Sequence, residues 1–168
     1  MTTLHFIYGL PAAGKTGLAR ALAAEIPGLF ICQDEWLLSL GGTITTVEQY
    51  VEAAGRVRRL ITPLISRVLE LGVSVVLDFA ANTVNDRAWV RSMFEAARAD
   101  HVLHVLDVPI DECKRRLHAR NAEQPPGLYF GHVSEELFDQ IVPYIGLPTP
   151  EEGFHVVRAT STPGACGA

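Results

Sequence analysis

The chain has 168 residues, 48% of them hydrophobic and 20% charged, and carries a formal net charge of −5. That is the composition of one folded domain with a sizeable core; it excludes a disordered chain, and its acidic balance opposes nonspecific nucleic-acid binding. No apolar run approaches the roughly 18 residues of a membrane span, and the opening MTTLHFIYG has no basic leader, so no membrane is expected. Cys32, Cys113 and Cys166 are far apart and odd in number, which argues against a disulfide framework and for a reducing, cytoplasmic setting.

In chain order, residues 4–8 read as a short apolar strand that enters Gly9, Leu10, Pro11, Ala12, Ala13, Gly14, Lys15 and Thr16. These eight fit the phosphate-loop pattern G-x-x-x-x-G-K-[ST]. A helix is expected from about 15 to 25, closed by Pro27 and Gly28. Residues 29–36 read as a second strand running into a turn, and GGT at 41–43 as a loop. From 47 to 71, Tyr50, Val51, Ala54, Val57, Ile61, Leu64, Ile65 and Val68 recur at helical spacing, with a kink expected at Pro63. Strand 73–80 carries Asp78. A helix at 84–97, a strand at 101–108 and a helix at 110–121 follow. The breaker-rich EQPPGLYFGH, a helix at 134–144 and a strand at 154–159 complete the pattern, before a tail expected to be frayed. Strands alternating with helices give an α/β fold: a parallel sheet covered on both faces, with ligands at the C-terminal strand ends. The whole reads as one domain over 1–158, with a lid at about 115–132.

The loop makes Gly9, Pro11, Ala12, Ala13, Gly14, Lys15, Thr16 and Gly17 the candidate nucleotide-binding residues. Glycines let the backbone wrap a phosphate, and amides at a helix N-terminus point positive charge at it. Lys15 would reach the outer phosphates and the Thr16 hydroxyl a Mg²⁺ ion. The chain has twelve arginines but only two lysines, Lys15 and Lys114; a lysine kept in the loop suits a site that wants a compact charge. Gly17 weakens the first helical turn by roughly 1 kcal/mol relative to Ala.

Two carboxylates, Asp34 and Asp78, fall at strand ends that would face the loop. Asp78 follows an apolar strand as a metal-binding carboxylate does, directly or through water. Asp34 is then free to accept a proton from a substrate hydroxyl, the alternative being a helix cap near Glu35. Trp36 reads equally as core or as a substrate platform. Arg116 and Arg120 lie four apart on one helical face, where transferring phosphates would offset their repulsion; a solvated basic face is the alternative. Arg56, Arg58 and Arg59 read as a solvated face in preference to a cleft lining. His5, His101, His104 and His155 read as structural.

Taken together, GLPAAGKT, QDEW, VVLDFAANTVNDR and RRLHARN…PPG resemble the small P-loop kinases related to zeta toxin, chloramphenicol phosphotransferase and phage polynucleotide kinase. The likeness is closest to small AAA-type ATP-binding proteins of bacteria and runs from Leu4 to about Val157. It implies a five-stranded parallel sheet of order 2-3-1-4-5, ATP with Mg²⁺, Asp34 as base and Arg116 and Arg120 as lid arginines. It also places Asn82 and Arg87 in a substrate-side region whose ligands vary among members. An adenine-recognition motif is not evident, and Thr160 and its neighbours are the base contacts the resemblance allows. The favoured function is ATP-dependent phosphotransfer to a small-molecule hydroxyl, with no nucleic acid expected. An ATP-binding switch or weak ATPase acting through a protein partner, and a nucleic-acid end kinase, are the alternatives. Acceptor identity and oligomeric state are not legible in the residues.

Overall fold

A computed structural model describes residues 1–40, 47–129 and 131–159 of the chain. Its elements are β1 (Thr3–Gly9), α1 (Lys15–Glu25), β2 (Gly28–Cys32), α2 (Gln33–Ser39), α3 (Val47–Glu70), β3 (Ser74–Ala80), α4 (Val84–Ala97), β4 (Asp100–Leu106), α5 (Ile110–Glu123), α6 (Glu135–Ile141) and β5 (Val156–Arg158). Short 3₁₀ turns lie at Val142–Tyr144 and Pro150–Glu152. All strand pairs are parallel and the order is β2-β3-β1-β4-β5, as expected.

The apolar pattern explains the layers. Successive side chains of a strand point to opposite faces, so a strand buried on both sides is apolar throughout. On β1, Leu4, Phe6 and Tyr8 join one core with Val57, Ile61 and Ile65 of α3 and Val90, Met93 and Phe94 of α4. Ile7 joins the other, with Ala19 of α1, Cys113 and Leu117 of α5 and Phe138 of α6. The helices therefore cover both faces. Among the described residues no helix is long and apolar enough to cross a membrane.

Several boundaries differ from expectation. The second strand stops at Cys32, and 33–39 is helix because Gln33 and Leu37, one helical turn apart, are the residues that turn inward. α3 runs through Pro63 to Glu70, as the expected 47–71 span has it, and Pro63 lies on its exposed side. α5 continues to Glu123, two residues past the expected end. The GGT segment and the tail from Thr160 onward lie outside the described residues.

β1 and β4 also carry a stacked histidine pair: His5 Nδ1 and His104 Nε2 are 3.1 Å apart and the rings 5.4 Å apart. Burial pulls both rings down, His104 to about 4, with His5 and His155 adding to the effect on His104. In the unfolded chain the imidazoles titrate near 6.5. The folded state therefore binds fewer protons below that pH, and stability present above pH 6.5 is lost as the pH falls toward 4. His104 accounts for about 3 kcal/mol of this loss. Denaturant titrations should show that slope between pH 7 and 4, and His104→Gln should flatten it.

Candidate functional site

The loop between β1 and α1 takes its shape from glycine and from close packing. Gly14 sits at φ 102° as the N-cap of α1, in the left-handed region that L side chains resist. Ala12 also has a positive φ, 61°, a strain that clusters at functional loops. At Gly9 a Cβ would lie 3.2 Å from that of Leu106 and 3.3 Å from that of Ala13, so a side chain there would push its neighbours back by a few tenths of an ångström. The Gly9 amide donates to Asn82 Oδ1 at 3.0 Å. Lys15 Nζ donates to the carbonyls of Gly9 and Leu10, both at 2.8 Å, which fixes the ammonium at the mouth of the loop. Burial pulls that ammonium down to about 8, against the opposing pull of Asp78 and Asp34.

Asp78 reaches the loop through an irregularity in the sheet. β1 pairs Phe6 with Leu77 and then Ile7 with Ala80, so Asp78 and Phe79 fall out of register on that side. Asp78 pairs across β2 with Cys32 instead, whose thiol donates to Asp78 Oδ2 at 3.3 Å. Such bulges re-aim side chains beside active sites. The carboxylate also accepts from the Thr16 hydroxyl, and burial pushes it up, above the usual carboxylate range.

Asp34 lies in the first turn of α2, just past the C-terminal end of β2. The N-cap of α2 is Cys32, with no side-chain cap hydrogen bond, so the capping alternative for Asp34 does not hold. Burial and then Asp78 push its carboxyl up, while Lys15 and Arg120 hold it down. Lys15, Thr16, Asp34, Asp78 and Arg120 thus form one electrostatic cluster at the C-terminal ends of β1, β2 and β3.

The two arginines of α5 are placed differently. Arg116 Nη1 donates to the Ala13 carbonyl at 3.2 Å and its Nε to Glu112 at 2.6 Å, so it clasps the loop itself. Arg120 is pulled down by burial, with Asp34 and Tyr129 opposing, and its buried Nε has no hydrogen-bond partner. Among the described residues only one other buried side-chain N or O atom lacks a partner, Nε of Arg58.

Two of the three substrate-side candidates are placed otherwise than expected, and Trp36 takes one of its two readings. Arg87 is 1% exposed; it donates to both carboxylate oxygens of Glu152, at 2.7 and 2.9 Å, and to the Ala81 and Gly146 carbonyls. It is a buried clamp with no face open to a ligand. Asn82 is buried and holds the Gly9 amide, and its carbonyl accepts from Gly146, so it braces the loop. Trp36 packs partly buried against the α3–α4 core. Conversely, Gln33 and Tyr50 stand near Asp34 and Arg58 near Tyr50, where Gln33 was missed, Tyr50 was read only as part of the apolar stripe and Arg58 as solvated. Gln33 Nε2 donates to the Tyr50 hydroxyl at 2.7 Å, and Arg58 pairs with Asp86 at 2.8 Å. The signal available was position: Gln33 adjoins Asp34, and Tyr50 and Arg58 flank the inward residues Ala54 and Val57 on α3.

The donor set suits a nucleotide with its magnesium ion. Loop amides, Lys15, Arg116 and the unpartnered Arg120 Nε can meet phosphate oxygens, and Thr16 with Asp78 offers the hard oxygens magnesium takes. The model of one family, described as AAA domain, matches residues 4–141. The chain belongs to that family.

Solved structures agree on the fold of this AAA-domain chain. A "putative kinase" from Chloroflexus aurantiacus j-10-fl aligns over 95% of this chain and 85% of its own, with 16% identity and a TM-score of 0.76. Kti12 from Chaetomium thermophilum, in complex with ADP-AlF3, aligns over 92% and 88% with 19% identity and a TM-score of 0.67. The APS kinase CysC of Mycobacterium tuberculosis, in complex with AMPPNP and APS, aligns over 95% and 88% with 20% identity and a TM-score of 0.57. The comparison with curated proteins finds no match.

Two substitutions probe the loop. Lys15→Ala should weaken ATP–Mg²⁺ binding about 10- to 100-fold, the worth of hydrogen bonds to a charged group, in a folded protein measured by calorimetry. Gly17 has nothing within 4 Å of where its Cβ would lie. Gly17→Ala should therefore raise unfolding stability by about 0.5–1 kcal/mol, measured by denaturant titration.

Proposed function

We propose that the protein is an ATP-dependent phosphotransferase that moves the γ-phosphate of ATP to a hydroxyl of a small molecule. The observation that carries this reading is the position of Asp34. It is a carboxylate that caps nothing, stands at a strand end beside Lys15 and Arg120, and is separate from the Thr16–Asp78 pair. A switch acting through a partner needs no base aimed at a substrate and no acceptor pocket.

In this reading the loop amides and Lys15 hold the β- and γ-phosphates, and Thr16 and Asp78 hold the magnesium ion. When bound, that ion neutralises charge on the phosphates and fixes their orientation. Asp34 takes the acceptor proton as the acceptor oxygen bonds to the γ-phosphorus. The bond to the β–γ bridging oxygen breaks, and ADP leaves with the electron pair. Arg120 stabilises charge on the phosphoryl group in flight, and Arg116 keeps the loop in shape around it. The arginine-bearing end of α5 and the turn after it, about 115–132, serve as the lid of a single domain over 1–158. A cytoplasmic setting suits the two buried free thiols, Cys32 and Cys113.

The test is transfer of labelled γ-phosphate from ATP–Mg²⁺ to low-molecular-weight acceptors. The reaction should fall on the acid side with a limb above the ordinary carboxylate range, because burial and Asp78 raise the Asp34 carboxyl and only its ionised form accepts the proton. Oligonucleotides should neither accept phosphate nor inhibit ATP turnover at physiological salt, given the acidic chain. Efficient 5′-end phosphorylation would replace this reading with a nucleic-acid end kinase.

A further inference from the structure

Beyond Asp34, the region bounded by the start of α2, the first half of α3 and the start of α4 carries polar groups that the phosphate chemistry does not use. Gln33 is buried, and its amide donates to the Tyr50 hydroxyl at 2.7 Å. Tyr50 is 41% exposed, and its hydroxyl lies within electrostatic reach of Asp34, Arg58 and Asp86. Arg58 lies over the Trp89 ring, its Cζ 4.7 Å from the centroid, and its Nη1 pairs with Asp86 Oδ1 at 2.8 Å. The other oxygen of Asp86 is taken by the Thr83 amide and hydroxyl, at 3.1 and 2.8 Å, as the capping box of α4. What remains is the Nε–H of Arg58, a buried donor with no partner.

The charges decide what can sit there. Arg58 is neutralised by Asp86, and Asp34 is faced by Lys15 and Arg120, which the proposed function gives to the phosphates. Among the described residues of this wall no cation is left over to meet a carboxylate, sulfate or phosphate on an acceptor. An ammonium group would face the Arg58 guanidinium and, beside Asp34, the Lys15 and Arg120 cations. A wholly apolar acceptor would leave the Arg58 donor unmet and cover the Gln33–Tyr50 pair, at a cost of roughly 1–3 kcal/mol for each buried polar group left unpaired. A neutral oxygen satisfies Nε–H, amide and phenol alike, and a half-exposed aromatic side chain suits the C–H surface of a compound that also carries hydroxyls.

We propose that the acceptor is an uncharged polyhydroxylated compound, a sugar or cyclitol, recognised by Gln33, Tyr50 and the Arg58–Asp86 pair with one hydroxyl presented to Asp34. The proposal rests on Asp34 being the proton acceptor for transfer. The hydroxyl oxygen bonds to the γ-phosphorus, its proton passes to Asp34, and ADP departs, so the product is a polyol phosphate ester.

The experiment uses the full chain with ATP–Mg²⁺ and a panel of uncharged hexoses, pentoses and cyclitols, set against their uronate and phosphorylated counterparts. Labelled ester and ADP release are both followed, and ATP affinity is measured separately by calorimetry. At least one uncharged member should be phosphorylated and its charged counterparts should not. For that member Tyr50→Phe and Gln33→Leu should each raise KM about 3- to 10-fold, the worth of a neutral hydrogen bond, with ATP affinity unchanged. Tyr50→Phe keeps the ring and so keeps the fold testable. Phosphorylation of charged members only, of no member, or an unaltered KM in both variants overturns the polyol assignment. Failure of ATP–Mg²⁺ to bind at all would instead remove the phosphotransferase reading beneath it.

Discussion

Asp34→Asn is expected to lower phosphoryl transfer by about 10²- to 10⁴-fold while ATP affinity stays within a few fold, the range a positioned general base supplies. Asparagine keeps the size of the side chain and its place in the first turn of α2, but cannot take a proton. The electrostatics give a second readout. Burial and Asp78 disfavour the charged form of Asp34 in the folded protein. Its folded pKa therefore lies above the unfolded one, and at neutral pH the carboxylate subtracts from stability, a penalty relieved as the pH falls. Removing the charge should leave unfolding stability equal or higher. A helix cap would behave oppositely, since capping residues lose about 0.5–2 kcal/mol when replaced by a non-capping group. Single-turnover transfer and denaturant titration on the same variant separate the two: normal transfer with lowered stability would make Asp34 structural. The acid limb of the pH profile should also vanish in Asp34→Asn.

The phosphate half of the site was legible because its chemistry is local in sequence. Gly9 to Thr16 is a continuous run whose backbone forms the cradle, and the apolar strand before it and helix after it fix its direction. Asp78 was legible as a carboxylate within an apolar strand, but its aim was not. That depends on the register break between Phe6 and Ile7, which no pattern in β3 alone announces. The acceptor half was poorly legible for a physical reason. Its members come from α2, α3 and α4, and their roles depend on which partners the fold brings near. Arg87 reads as a ligand-ready arginine until Glu152, 65 residues on, closes over it. Arg58 reads as one of a solvated trio until Trp89 and Asp86 arrive from α4. The strand-to-helix change at Cys32 was missed because LFICQDEW is apolar up to the point where its period changes. Only the inward turn of both Gln33 and Leu37 reveals the helix.

Arg120→Ala is expected to lower turnover about 10²- to 10³-fold with ATP affinity changed far less, and Arg116→Ala to act differently. Both lie on the loop-facing side of α5, yet their hydrogen bonds differ. Arg116 already spends its guanidinium on the Ala13 carbonyl and on Glu112, so its loss loosens the loop and should weaken ATP binding together with turnover. Arg120 holds a buried Nε–H with no partner in a place where burial disfavours its charge. A guanidinium kept there at an energetic cost gains most from an anion that arrives during the reaction, and a group stabilising only the transition state changes kcat more than affinity. Arg120→Lys should not restore turnover, because a single ammonium lacks the planar fork that meets a phosphoryl oxygen from Nε and Nη together. If the two arginines act on the same phosphates, the double alanine variant will lose less than the product of the single losses. Steady-state turnover with ATP affinity measured in parallel checks all four variants. Full turnover in Arg120→Ala would return this face of α5 to a solvated basic surface.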